Sequence, residues 1–152
     1  MTDIVPPEVR SRMMAGIRGK DTLPERFIRS GLHRLGFRFR LHPRDVPGCP
    51  DIVLPRYRAA IFVHGCFWHG HDCPLFKVPG ENREFWTRKI EANRRRDAAV
   101  AEMLKKQGWR QLTIWECAMK GAGRLDPQVL LRRCAEWILG RRRTASIRGR
   151  QC

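Results

Sequence analysis

The chain has 152 residues, the size of one ordinary domain and long enough to bury a core. Lys and Arg outnumber Asp and Glu 31 to 15, a formal charge of +16, which points to a polyanionic partner: nucleic acid or an anionic membrane surface. No apolar run approaches the roughly 18 residues of a membrane span, and the start MTDIVPPEVR lacks the apolar segment of a secretory signal, so a cytoplasmic, nucleic-acid-facing protein is expected.

Residues 1–20, ending SRMMAGIRGK, read as a basic arm that adds little to a core. Asp21 or Thr22 then caps a helix. Pro24 falls in its first turn, Glu25 follows, and Phe27, Ile28, Leu32 and Leu35 recur at helical spacing until Gly36. FRFRL (37–41) alternates apolar and basic residues, as a half-buried strand does. PGCP (47–50) is a turn, and Asp51 opens a short strand, Ile52-Val53-Leu54. After Pro55-Arg56-Tyr57-Arg58 comes AAIFVH (59–64), the most buried-looking strand of the chain. If these two strands pair as a hairpin, Asp51 lies opposite Phe62 or Val63, within one residue. That register brings a carboxylate beside the strand end that carries His64.

A long polar helix is predicted over 82–107, and RQLTIW (110–115) is a further strand leading into Glu116-Cys117. The last helix covers about 126–139, with Val129, Leu130, Ala135, Trp137 and Ile138 on its apolar face. The tail RRRTASIRGRQC (141–152) is dense in Arg and is expected to be disordered. The order is helix, three strands, helix, strand, helix, with no internal repeat. This is one mixed α/β domain, spanning 21–140 between a basic arm and a basic tail.

The six cysteines stand at 49, 66, 73, 117, 134 and 152. In a reducing compartment they are expected as thiols and not as a disulfide framework. Cys49, Cys134 and Cys152 have no ligand-like neighbours and read as small buried hydrophobes or an ordinary tail thiol. The stretch HGCFWHGHDC (64–73) is different. Cys66, His71 and Cys73 are three zinc-type ligands within eight residues, and Cys117 at a strand end is the natural fourth. A Cys3His set closes a tetrahedral site with no open position, the mark of a structural zinc. On spacing alone His69 could replace His71, and buried cysteines without metal are the plain alternative. With zinc on those four, His64 and His69 stay free beside Phe67-Trp68, and His64 lies near Asp51. One carboxylate and two histidines on a basic surface suit metal-assisted phosphodiester hydrolysis. The Asp would hold Mg2+, one histidine would orient or deprotonate water, and the other would meet developing phosphate charge.

Five segments carry a resemblance: IRGKDTLPE (17–25), PGCPDIV (47–53), IFVHGCFWHGHDC (61–73), FKVP…EFW…KI…N (76–93) and GW…WEC (108–117). Together they resemble the very-short-patch-repair (Vsr) mismatch endonucleases, a divergent branch of the PD-(D/E)-x-K nuclease superfamily, over roughly residues 10–140. The resemblance implies a restriction-endonuclease-like mixed sheet flanked by helices. Its implied activity is strand-specific nicking of double-stranded DNA beside a T:G mismatch left by deamination of 5-methylcytosine. By the same resemblance Asp51 and the Val63 backbone carbonyl are Mg2+ ligands, with two Mg2+ ions expected. His69 is the general base or water-positioning group, His64 sits at the scissile phosphate, and Glu25 supports the site through water or a histidine. The family's single structural zinc maps onto Cys66, His71, Cys73 and Cys117. Phe67, Trp68 and Trp86 match aromatics that insert into the duplex, and Met14 matches a residue laid in the minor groove. The acidic-x-Lys tripeptide of the wider superfamily is absent, Phe62-Val63-His64 standing in its place. The resemblance also implies a monomer of the bacterial cytosol or nucleoid, with mismatch-repair proteins as candidate partners and no membrane.

Two rivals remain at this point. A non-enzymatic zinc DNA-binding module explains charge, zinc and aromatics but gives Asp51, His64 and His69 no role. A restriction-type nuclease acting on undamaged DNA keeps the active site but turns Phe67, Trp68 and Trp86 into core residues.

Overall fold

The computed structural model describes residues 22–150. Helix α1 (Leu23–Arg34) starts at Thr22, whose hydroxyl accepts the Glu25 amide at 3.4 Å. Its inner face buries Ile28 and Leu32 completely. The chain then forms strands β1 (Arg40–Leu41), β2 (Ile52–Leu54) and β3 (Ala59–His64), an antiparallel set. A 24-residue helix, α2 (Arg83–Lys106), crosses to β4 (Arg110–Trp115), which pairs parallel with β3. Helix α3 (Pro127–Leu139) comes next, capped by the Asp126 side chain on the Gln128 amide at 2.8 Å. It leads to β5 (Thr144–Ile147), parallel to β4. Among the described residues this gives one mixed sheet in the order β1-β2-β3-β4-β5 with three helices.

The period-two alternation of the strands sorts the core into two layers. Ala59 and Ile61 of β3 join Leu112, Ile114 and Ile147 beneath α1 and α3. Ala60 and Phe62 of β3 pack with Val53, Val46 and Leu104 on the α2 face. Gly31 of α1 lies so close to α3 that an added Cβ would stand 2.4 Å from a Leu131 methyl. Among the described residues no helix is long and apolar enough to cross a membrane.

Two expectations change. The strand expected over 37–41 shrinks to Arg40–Leu41. Its register, Leu41 on Ile52 and Arg40 on Val53, carries Phe39 only as far as Leu54, and Pro55 beyond it ends the partner strand. Phe37, freed from the ladder, is buried against Tyr57 instead.

The tail is not disordered through its length. Thr144 and Ser146 face outward, while Ala145 packs on the core and Ile147 is buried within it, so TASI reads as an edge strand despite its Arg-rich flanks. Arg110 makes that return possible. Its guanidinium closes the end of α3 on the Trp137 carbonyl at 2.6 Å and the Ile138 carbonyl at 3.0 Å, and its Nε donates to the Arg142 carbonyl at 3.0 Å.

A chain ending at Gly140 should therefore lose stability as well as charge. Losing the burial of Ile147 forfeits about 1.5–3 kcal/mol, and the β4 edge loses its ladder. A melting temperature several degrees below that of the full chain is the expected result, and an unchanged one would mean that β5 contributes nothing to the fold.

Candidate active site and metal centre

The end of β3 is where the chemistry-bearing residues converge. Asp51, just before β2, sends Oδ2 to the Val63 amide at 2.7 Å. The neighbouring strand brings His42, which comes directly after Leu41 and so lies across the ladder from Asp51. His42 Nδ1 stands 3.7 Å from Asp51 Oδ1, and its Nε2 stands 2.5 Å from Glu25 Oε1. Glu25 itself is buried in the first turn of α1, where the helix N-terminus favours a carboxylate. Glu25, His42 and Asp51 form a group that could hold a metal ion. Burial pushes the Asp51 carboxyl up to about 6; the Val63 amide works against that shift and the nearby Glu25 charge adds to it.

His64, one residue beyond Val63, points to the other side of the sheet. The expected placement of Asp51 beside the strand end that carries His64 is met through the Val63 amide, and the charge of His69, which stacks on His64, acts on Asp51. In that stack the ring centroids are 3.7 Å apart and the planes within 3°. Burial, reinforced by His69, lowers the His64 imidazole to about 3, so it is neutral at physiological pH. His69 Nδ1 lies 2.6 Å from Asp97 Oδ2 on α2. These three residues line a cleft of about 340 Å³ together with Arg94, Thr113 and Trp115.

The loop after His64 turns back on itself. The His71 amide donates to the Cys66 carbonyl at 2.9 Å, and Gly70 passes close against α2 with φ +61°. A Cβ at Gly70 would stand 2.7 Å from Ile90, so both backbone angle and space ask for glycine. Glu116, at the end of β4, accepts the Cys66 amide at 3.3 Å. The ligand atoms of Cys66, His71, Cys73 and Cys117 all lie within 4.8 Å of one another. Tetrahedral bonds of about 2.3 Å to sulfur and about 2.0–2.1 Å to nitrogen would set sulfur and nitrogen roughly 3.6 Å apart. Cys66 Sγ and Cys117 Sγ lie 3.4 and 3.7 Å from His71 Nδ1, which fits such an ion. The His71 ring is braced by Trp115, stacked at 4.0 Å. Of the other described cysteines, Cys134 is buried and Cys49 is exposed, so the buried reading holds for Cys134 and not for Cys49; Cys152 lies outside the described residues.

Phe67, Trp68 and Trp86 meet edge to face, with centroids 5.1 to 5.9 Å apart, and all three are half-buried outside the two core layers. The exposed Phe85 extends the cluster, 5.2 Å from Trp86. Asn93 holds the Trp68 carbonyl at 2.8 Å. Met14 lies outside the described residues.

Sequence reasoning missed His42 and Asp97. His42 was available from the register of β1 on β2. Asp97 and Asn93 are polar at positions of α2 whose helical neighbours, Ile90 and Leu104, face inward. Polar residues on a buried helical stripe are the signal.

A mixed sheet covered by helices on both faces, with acid and histidine groups at a central strand end, is the restriction-endonuclease-like arrangement. The family model for DNA mismatch endonuclease Vsr matches residues 2–75. The chain is 43% identical over 147 residues to the DNA mismatch endonuclease Vsr of Escherichia coli K12, covering 97% of this chain and 94% of that one. It is 46% identical over 129 residues to the type II nicking enzyme V.XorIIP of Xanthomonas oryzae pv. oryzae (85% and 95% covered). Against the type II nicking enzyme V.NmeAIP of Neisseria meningitidis serogroup A it is 42% identical over 120 residues (79% and 86% covered). The chain belongs to the Vsr endonuclease family, and it is a DNA endonuclease.

The raised Asp51 carboxyl gives a stability signature. An acid held at about 6 in the fold and near 3.8 when unfolded is protonated more readily in the native state. Stability from this group is therefore greatest at low pH and falls as pH rises from about 4 through 6. With no divalent ion added, Asp51→Asn should raise stability at pH 7.5 by on the order of 1–3 kcal/mol, and the gain should vanish near pH 4. A gain independent of pH would locate the effect elsewhere.

Proposed function

We propose that the chain nicks one strand of duplex DNA beside a T:G mismatch, with Mg2+ at Asp51 and His69 as the base at the same β3 end. The observation that carries this reading is the convergence at one strand end of Glu25, His42 and Asp51 with His69, which is bonded to Asp97 and whose charge acts on Asp51, with the aromatic cluster alongside.

Mg2+ bound at Asp51 would polarise the scissile phosphate and offset charge on the leaving oxygen. The Val63 carbonyl is well suited to complete that site. Its N–H faces β2, so its C=O does too, and the residue across from it in continued register is Pro50, which has no N–H to offer. Glu25 acts through His42, fixing the imidazole that faces Asp51. With Nδ1 held by Asp97, His69 has Nε2 left to take a proton from water. Asp97 orients the ring and stabilises the imidazolium that results, the logic of any carboxylate-oriented histidine base. His64, stacked on His69, supports the ring.

Zinc on Cys66, His71, Cys73 and Cys117 would pin the loop from both ends, so that Phe67 and Trp68 project with Trp86 from a rigid base. Inserting rings between base pairs costs a few kcal/mol of unstacking, least where pairing is already defective. That difference favours a mismatch. The names of the relatives, mismatch endonuclease and nicking enzyme, agree with a single active site that cuts one strand.

The test is nicking of a T:G duplex against a fully paired one, with and without Mg2+, over several sequence contexts. Cleavage of paired DNA at equal rate would sink the mismatch reading, and metal-independent cleavage would sink the Mg2+ site. Asp51→Ala should abolish nicking while leaving mismatch binding largely intact. His69→Ala should lower the rate by roughly 10²–10⁴, and Asp97→Asn should lose much of the same factor without weakening binding. Changing Phe67 and Trp68 together to Ala should narrow the gap between substrates by losing activity on T:G, with zinc content unchanged. Cys117→Ser should lose zinc and melt well below the parent, because the binding energy of a structural zinc is folding energy.

A further inference from the structure

Beyond Ile147 the chain does not leave the fold. Gly149 donates its amide to Cys117 Sγ at 3.3 Å. It lies so flush against the loop after β4 that a Cβ there would be 2.5 Å from the Cys117 carbonyl oxygen and 3.0 Å from that of Gly123. Arg150 fastens the same strip, its amide donating to the Gly123 carbonyl at 2.7 Å. On the other side Arg148 Nη2 donates to the Asp72 carbonyl at 2.9 Å. Asp72 is the residue between His71 and Cys73, so one guanidinium grips the backbone between two of the four ligands. Arg148 Nε is itself buried. A second sulfur bond, from the Cys117 amide to Cys66 Sγ at 3.3 Å, lies on the β4 side.

Three thiolates around a divalent ion carry one net negative charge in a place with little water, where Cys66 and Cys117 are almost fully covered. Such a charge is stable only with donors on the sulfurs and a cation nearby. One of the two donors, and the cation, come from the strip after β5. We propose that residues Arg148–Arg150 are the closing wall of the Cys66/His71/Cys73/Cys117 centre: the Gly149 amide holds the Cys117 thiolate, and Arg148 supplies the countercharge and clamps the ligand loop. The C-terminal strip thereby sets how slowly the ion leaves. Arg148 and Gly149 are positioning residues for the ion and touch no substrate. The proposal rests on the reading that this centre holds zinc.

The test compares zinc release and cobalt spectra for four proteins: the full chain, Arg148→Gln, Arg148→Lys, and a chain ending at Ile147, which keeps β5. Release of zinc into excess chromogenic chelator should be at least about tenfold faster from the shortened chain, in line with the loss of an outer partner of a metal ligand. Arg148→Gln should fall between, and Arg148→Lys should stay near the parent. With Co2+ in place of zinc, the thiolate-to-cobalt charge-transfer band should shift in the shortened chain, since one sulfur loses its N–H donor. Release rates and spectra equal to the parent in all three variants would overturn the proposal. If the shortened chain fails to fold, the Arg148 pair decides alone: release from Arg148→Gln as slow as from the parent overturns it. A parent that takes up neither zinc nor cobalt at its thiolates would instead remove the zinc reading itself, a distinguishable failure.

Discussion

The site depends on a single hydrogen bond, from the Val63 amide to the Asp51 carboxylate at 2.7 Å. At this point β2 has run out: its pairing with β3 begins at Ile52 on Ile61, and the residue that would face Val63 is Pro50. A proline there has no N–H to offer the Val63 carbonyl, so the ladder stops, and it is the Asp51 side chain that accepts the Val63 amide. That substitution fixes Asp51 against β3 and leaves the strand end open on the β2 side. It also sets the direction of His64, because successive side chains on a strand point to opposite faces. Val63 and His64 are therefore where the acidic group, reached from α1, meets the histidine pair, reached from α2, closely enough for the His69 charge to act on Asp51.

Holding two carboxylates near one imidazole in a buried corner works against the fold. Glu25 is buried, and the Asp51 carboxyl is pushed up to about 6, the direction expected when desolvation and a like charge both disfavour ionisation. The surrounding structure supplies the compensation. The layer beneath α1 and α3 buries Ile28, Leu32, Ile61, Leu112 and Ile114 without exposure. Glu25 stands on the first turn of the helix that contributes two of those residues, so the group most costly to bury is carried by one of the best-packed elements. A divalent ion would reverse the local electrostatics.

Much of this was legible in the sequence where one local pattern decided the outcome. AAIFVH and RQLTIW formed as strands to the residue, and Cys66, His71 and Cys73 came together, because each rests on a short-range signal; Cys117 joins them through the pairing of those two strands. The losses came where a distant partner decided. FRFRL keeps its alternation but finds only three residues of β2 to pair with. TASI looks solvated among arginines, yet the open edge of β4 and the Arg110 guanidinium give it a place. His42 and Asp97 are ordinary residues in their own segments and gain meaning only from the strand register and helix face that set them against Asp51 and His69.

These distant dependencies share one geometry. The loop from Gly65 to Cys73 carries His69, Phe67 and Trp68 and contains no helix or strand, so its shape must come from the elements that grip it. Asn93 and Asp97, four residues apart on α2, hold the Trp68 carbonyl and the His69 ring. Glu116 and Cys117 hold the Cys66 amide and sulfur from the end of β4. Arg148 and Gly149 reach the Asp72 carbonyl and the Cys117 sulfur from the end of β5. Two parallel strands thus finish at the same edge and deliver their grips from the same side, which an antiparallel neighbour could not do, since its end would lie at the far edge of the sheet. The mixed topology answers this requirement directly. Its antiparallel half brings His42 and Asp51 together across one short ladder, and its parallel half brings three strand ends to a single loop.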